Sequence, residues 1–511
     1  MSRRPRALHS KALAGLLALG LLGACSPAPV PSGSPTAASP GPSTTAASGS
    51  PIPTVVAEPA RWSDCGGRFQ CATLSVPRDY ADPSHGHFDI ALVKLPATDP
   101  AARIGSLVVN PGGPGGSGVE FVRENVDLFP RELRRRFDLV GFDPRGVNLS
   151  SRVRCFDNLD GHFALDPSPD DRSELEALVD EAHAFADACQ QRNAAALPWL
   201  STDDVARDLE SIRHAVRDEK LTYLGFSYGT LIGALYAAQF PGNIRAMVLD
   251  GAIDPALDLE QLRAGQAQAF EAALGRFFAR CAKERCLFAP SGRPEAAFDR
   301  LMAAIDTKPL PATRARDARR VGPGLAEPAV LAALYSDASW PLLDAALALA
   351  QRGDGSLLLA MSDPFRGRKP NGTYSNQQDA YTANICLDFA APNTADGFEA
   401  LVARIEPEAR HFAGFAGYTD LPCLFWPVAA ERNPAPVRAD GAPPIVVVGS
   451  TGDTATPYAW AKALADELAT GVLLTRKGEG HTAFGASGCI QRAVTSYLVG
   501  LHEPPNGETC Q

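Results

Sequence analysis

The stretch Thr222-Tyr-Leu-Gly-Phe-Ser-Tyr-Gly-Thr230 decides the reading of this chain. It begins as a compact apolar run of strand type and ends in a helical pattern that continues to Gln239. Between the two stands Gly225-Phe226-Ser227-Tyr228-Gly229, a match to G-x-S-x-G. In a chain with 45 glycines a lone match can arise by chance. The setting gives it weight, because a sharp strand-to-helix turn holds a serine hydroxyl above a sheet. The flanking glycines permit that turn and the close approach of neighbouring backbone. The alternative is a glycine-rich turn with an inert serine. A serine hydroxyl is a poor nucleophile without a base, so the rest of the chain must supply one.

Working outward, short apolar runs alternate with helical patterns. Ala72–Val76, Phe88–Leu95, Ser106–Val109 and Phe137–Phe142 precede the motif, and Ala246–Leu249 follows it. Thr202 is placed to cap a helix whose apolar face runs through Val205, Leu209 and Ile212. Such alternation predicts an α/β chain with a mostly parallel sheet and helices on both faces. From 256 to 430 the pattern turns helical, as in Gln261–Ala282 and Ala329–Gln351. Strand patterns resume at Pro444–Val448 and Val472–Thr475. Residues 58–255 therefore read as the first part of a core, 256–430 as a helical insertion, and 431–511 as the completion of the core. The insertion most simply caps the carboxyl edge of the sheet, where open α/β folds bind ligands.

The two resumed strands carry the missing partners. Asp453 follows the first, in Gly449-Ser-Thr-Gly-Asp453, and His481 follows the second, in Gly478-Glu-Gly-His481. His481 would take the Ser227 proton and return it to the leaving group, while Asp453 would fix the imidazole tautomer. A turn aspartate and a surface histidine are the plainer readings. Glu479 is a rival acid, awkwardly close in sequence to His481.

Asn110-Pro-Gly-Gly-Pro-Gly-Gly-Ser-Gly118 follows the third strand. Small residues let backbone N–H groups face a cavity, and acyl transfer needs such donors for its tetrahedral oxyanion. The expected pair is the N–H of Gly113 and that of Tyr228. A phosphate cradle is the competing reading, but the loop lacks the Gly-Lys-Ser/Thr ending. Arg145, in Asp143-Pro-Arg-Gly146, is expected to brace the surrounding loops through a carboxylate.

Composition bounds the partners. Lys and Arg total 48 against 58 Asp and Glu, a formal charge of −10, which argues against nucleic acid. At the N-terminus, Arg3, Arg4 and Arg6 precede an apolar run from Ala12 to Gly23, too short to span a bilayer as a mature helix. It ends in Leu22-Gly-Ala-Cys25. Small residues before a cysteine resemble a bacterial lipobox, so residues 1–24 read as a leader and Cys25 as a lipidated membrane anchor. An ordinary secretory leader is the alternative, and both place the mature chain outside the cytoplasm. Residues 25–57, rich in Pro, Ser, Ala and Thr, read as a disordered tether. Setting Cys25 aside leaves ten cysteines, an even number that suggests disulfides in an exported chain. Pairing neighbours would give five short loops. Metal-type ligand spacing does not occur.

Taken together, these segments resemble the bacterial tripeptidyl aminopeptidases of the α/β-hydrolase superfamily, related to prolyl aminopeptidases. The carriers are Asn110–Gly118, Gly141–Gly146, Gly225–Thr230, Leu249-Asp-Gly251, Gly452-Asp453 with Thr456-Pro457, and Gly480-His481. The resemblance implies the α/β-hydrolase fold, a Ser227, Asp453 and His481 triad, and release of short peptides from free N-termini without metal or cofactor. A serine esterase or amidase of the same fold is the alternative. One departure is Asn148, where such proteins often carry glycine. An aminopeptidase must also recognise the substrate ammonium, and Asp388 in Asn384-Ile-Cys-Leu-Asp388 is the candidate carboxylate, with a surface acid beside a disulfide as the plainer reading.

Overall fold

The computed structural model describes residues 57–317 and 319–511. The expectations for the leader, for Cys25 and for all but the last residue of the tether lie outside the described residues. The central sheet has ten strands: β1 (Ser63–Asp64), β2 (Gln70–Pro77), β3 (His87–Leu95), β4 (Gly105–Asn110), β5 (Phe137–Phe142), β6 (Leu221–Phe226), β7 (Ile244–Asp250), β8 (Ile445–Gly452), β9 (Gly471–Glu479) and β10 (Glu508–Cys510). Their spatial order is β1-β2-β3-β5-β4-β6-β7-β8-β9-β10. The first three strands and β5 pair antiparallel, and every pairing from β5 through β4 to β10 is parallel.

The apolar runs become central strands because helices cover both faces of the sheet, so inward and outward side chains must both be apolar. Residues Val108, Tyr223, Met247 and Val447 pack into one layer of core. Their neighbours Leu107, Leu224, Val248 and Val446 pack into the other. The very short β1 and β10, at the two edges, carry no apolar pattern of their own.

Between β7 and β8 the chain is mainly helical, as its Ala- and Leu-rich composition predicts. Two local expectations are corrected. Ser201, not Thr202, is the cap of the helix Thr202–Ala215 (α1), and its hydroxyl accepts from the Asp204 N–H. The stretch Ala329–Gln351 is two helices, Pro323–Leu334 and Trp340–Ala350, broken at Tyr335–Ser339. Pro341 starts the second helix, where a missing N–H costs nothing. That break delivers Tyr335 to the site described below.

All ten described cysteines pair with their sequence neighbours: Cys65–Cys71, Cys155–Cys189, Cys281–Cys286, Cys386–Cys423 and Cys489–Cys510. Arg145 is fully buried and braces the core, donating to Asp208 at 2.6 and 2.8 Å and to the carbonyls of Arg78 and Trp199. Asn148 has a positive φ of 43°, which asparagine tolerates better than most residues. Its side chain donates to Ser117 and Asp143, and its N–H reaches Asn376 of the insertion.

Candidate active site

Ser227 stands between β6 and the helix Tyr228–Gln239 (α2) with φ 53° and ψ −124°, a strained conformation for a residue with a side chain. The surroundings hold it there. Its N–H donates to the Asp250 carbonyl at 2.9 Å, and its own carbonyl accepts from the Thr230 hydroxyl at 2.5 Å. Both glycines are required: a Cβ on Gly225 would stand 2.4 Å from the Gly229 carbonyl oxygen, and one on Gly229 would stand 2.8 Å from the Asn110 carbonyl oxygen.

Asp453 is buried in the loop after β8, where its carboxylate is fully engaged. Oδ1 accepts from the N–H groups of Ala455 and Thr456 and lies 2.8 Å from His481 Nδ1, while Oδ2 accepts from the Thr482 N–H. A carboxylate only accepts, so Nδ1 of His481 carries the proton and Nε2 is left as a base. Burial pushes the His481 imidazolium down, but the Asp453 charge, with Asp250 behind it, more than offsets this and leaves its pKa above the ordinary value. His481 and Ser227 line the same cavity.

Two residues that sequence reasoning did not single out fix this histidine. Asp250, at the end of β7, is fully buried, and its carboxylate accepts from the N–H groups of Ala483 and Phe484, clamping the loop that carries His481. Burial pushes Asp250 up to about 6 against those two hydrogen bonds. Tyr335, in the break between helices, accepts the His481 N–H on its carbonyl at 2.9 Å, and its ring stands edge-on 5.3 Å from the imidazole. The Leu249-Asp-Gly251 segment held a signal for the first. The Ser-Asp-Ala-Ser run before Trp340-Pro341 held one for the break that carries the second. Glu479, the rival acid, is turned away and accepts from Arg276 at 2.7 Å.

The glycine-rich loop after β4 reaches the same place. Gly113 and Tyr228 both line the cavity with Ser227. Tyr228 opens α2, so its N–H has no acceptor within the helix. Gly112, with φ 88°, packs so closely that a Cβ there would stand 2.6 Å from the Tyr228 nitrogen. The loop thus lies against the first N–H of the helix, an arrangement able to accommodate a developing oxyanion.

The cavity has a volume of about 630 Å³. Its floor is the carboxyl edge of the sheet, and its walls come from the insertion, including Phe270, Tyr335, Tyr381 and Phe412. Asp388 is not among its lining residues, which corrects the expectation that it meets a substrate ammonium. Its carboxylate is buried at the junction of insertion and core. It accepts from the Thr202 N–H at 2.9 Å and from the hydroxyls of Thr202 and Tyr228. Burial pushes it up to about 6 against these hydrogen bonds. Asp388 anchors the ring of the residue that follows the serine.

Fold and site together define an α/β-hydrolase. Residues 105–332 match the family described as alpha/beta hydrolase fold, and residues 409–510 match the TAP-like proteins. The chain is 37% identical over 486 residues to the serine protease Hip1 of Mycobacterium tuberculosis, covering 89% of this chain and 91% of that one. It is 35% identical to carboxylesterase B of the same organism, covering 90% and 92%. With the tripeptidyl aminopeptidase of Streptomyces lividans it shares 31% identity, covering 88% and 86%. The chain belongs to the family of these serine-peptidase-type hydrolases, the TAP-like branch of the α/β-hydrolases.

Proposed function

We propose that the protein is an extracytoplasmic serine exopeptidase that removes short peptides from free N-termini through an acyl-enzyme. In this reading Ser227 Oγ attacks the scissile carbonyl and His481 Nε2 takes its proton. The N–H groups of Gly113 and Tyr228 receive the oxyanion. His481 then protonates the leaving amine, and water repeats the sequence to release the acyl product. Asp453 holds the imidazole in the productive tautomer and stabilises its cation. The observation that carries the reading is the shared cavity of Ser227 and His481 beneath a helical insertion. Its volume of about 630 Å³ suits a short peptide segment and not a folded chain. Peptide amides with free and with acetylated N-termini test it. A strong preference for the free series is expected, and equal rates on both would overturn it.

A second reading, an esterase or amidase on non-peptide substrates, is favoured by one observation. No Asp or Glu is among the described residues that line the cavity, so a substrate ammonium meets no carboxylate in it. The 35% identity to a protein named carboxylesterase B points the same way. Turnover of short-chain esters without turnover of peptide amides would establish this reading instead.

The extracytoplasmic placement rests on the lipobox-like sequence at Cys25 and is supported by five disulfides, which persist in oxidising compartments. Incorporation of labelled palmitate by the full chain, lost in Cys25→Ser, is the expected outcome.

A further inference from the structure

Two arginines line the cavity, and they differ in their partners. Arg263 is fully occupied. Its Nε and Nη2 donate to Asp420 at 2.6 and 2.9 Å, Nη1 donates to Gln266, and Nη2 also reaches the Tyr381 hydroxyl. Arg366 follows the helix Ser356–Phe365, and its guanidinium makes no hydrogen bond to any described residue. Its Nε is shielded from solvent without a partner. The group lies 4.5 Å over the Phe163 ring and 5.3 Å over that of Phe415, which fix it in place.

Burial lowers the Arg366 pKa to about 10, which still leaves it a cation at neutral pH. Glu327 is the carboxylate that acts on it most, but no ion pair within 4.0 Å joins them among the described residues. Burial, with Asp166 nearby, pushes the Glu327 carboxyl up, and the Arg366 charge works against that shift. The C-terminal end of the helix before Arg366 offers only about half a charge. Arg366 is half-buried: its Nε is shielded without a partner, while its terminal nitrogens are accessible and free to donate to a ligand.

The position of Arg366 gives the side of the substrate it would meet. It also lines a small neighbouring pocket with His162, Glu181 and Thr419, which shares Gln378 and Phe415 with the main cavity. On another side, Pro364 and Gln377 are shared with a larger and more open groove lined by Glu120, Arg368 and Lys369. With the leaving group taken toward the open groove, the end by Arg366 would receive the acyl portion. We propose that Arg366 is a specificity residue that binds a carboxylate on the acyl portion of the substrate. The preferred substrates are then acyl groups, peptidyl above all, that bear an acidic side chain. The inference rests on the serine-hydrolase reading above for the assignment of acyl and leaving sides.

The test uses the wild-type chain and fluorogenic tripeptide amides that differ only by Glu, Gln or Lys at each of the three residues. Every sequence is made with free and with acetylated N-terminus, and as the matching ester. At one position Glu should exceed Gln in kcat/KM by about 10- to 100-fold, the range of a charge-assisted hydrogen-bonded pair, and Lys should fall below Gln. Arg366→Met, which keeps an unbranched chain between the two rings, should bring the Glu-to-Gln ratio to about one, and Arg366→Lys should retain part of it. A wild-type ratio of about one at all positions overturns the proposal, whether or not a variant folds. A ratio that survives Arg366→Met overturns it as well. Equal rates on free and acetylated substrates would remove the exopeptidase reading alone, because the ratio is still read within the acetylated and ester series.

Discussion

The sheet and the insertion face each other across one cavity, and the groups that hold His481 differ in their pairing from those around Arg366. On the sheet side the groups around His481 are engaged by short local contacts. Asp453 has four partners, and Asp250 holds two consecutive N–H groups. On the insertion side, buried polar atoms of Glu327, Ser362 and Arg366 have no partner among the described residues. Fixed dipoles assist a reaction only when they need no reorganisation, so the chemical side gains from being complete before substrate arrives. Recognition works the other way, because a group already paired has nothing left to offer a ligand. On the proposed function, the sheet edge carries the chemistry and the insertion the selection. Substitutions on the sheet side should therefore slow every substrate alike, and substitutions in the insertion should reorder substrates.

The largest effect is expected from Asp453→Asn. Loss of the carboxylate removes the anchor of the Nδ1 proton and favours the wrong imidazole tautomer, with a fall in kcat of about 10⁴-fold. The pH profile adds a signed test. In the proposed mechanism the neutral imidazole is the base; burial pushes His481 down while Asp453 raises it above its ordinary value. In the wild type the acidic limb of kcat/KM should therefore lie above the ordinary histidine range. In Asp453→Asn only burial and the weaker pull of Asp250 remain, so the limb should move to lower pH as the plateau falls. A limb that stays in place would detach His481 from the titration.

Next in size is Gly112→Ala. The added Cβ would press on the Tyr228 nitrogen at 2.6 Å and on the Phe226 carbonyl at 2.5 Å, at a φ that disfavours side chains. Displacing one oxyanion donor should lower kcat by about 10²- to 10³-fold on amides and esters alike. A loss confined to one class of substrate would place this loop with the selective side of the cavity.

How much of this was legible in the sequence follows the same division. The turn at Ser227 is written partly in neighbouring residues, since the Gly229 backbone leaves no room for a side chain at Gly225, while Gly229 is itself held by the distant Asn110. Asp453 and His481 are legible because each directly follows a strand that shows itself by composition. Thr202 and Asp388 were not. Ser201 and Thr202 are adjacent and chemically alike, and what separates them is Asp388, 186 residues away, which takes the Thr202 hydroxyl. Sequence shows that Asp388 is an acid near a disulfide, but not which way it faces. The insertion as a whole suffers from this. Its helices are legible one by one, apart from the break at Tyr335, while the residues they turn into the cavity depend on packing between distant segments.

The smallest expected effect belongs to Asp420→Asn, and it separates the two sides most cleanly. Asp420 neutralises Arg263 within the insertion and contacts no residue of the Ser227–His481 arrangement. Without that charge Arg263 keeps Gln266 and the Tyr381 hydroxyl as acceptors, so the buried cation remains but loses its counter-ion. Removing one partner of a buried pair costs about 3–5 kcal/mol, and the remaining acceptors should hold the cost near the lower end, seen as a lower unfolding midpoint. Activity should respond differently from the sheet variants. An uncompensated Arg263 gives the cavity a second cation, so KM should fall about threefold for acidic acyl groups and rise for basic ones, as expected when a carboxylate approaches a guanidinium through partly screened surroundings. Both are measured below the unfolding transition on the same pair of substrates. An equal fall in kcat for both would mean that Asp420 supports the chemical side through the walls of the cavity, and the division between sheet and insertion would then have to be redrawn.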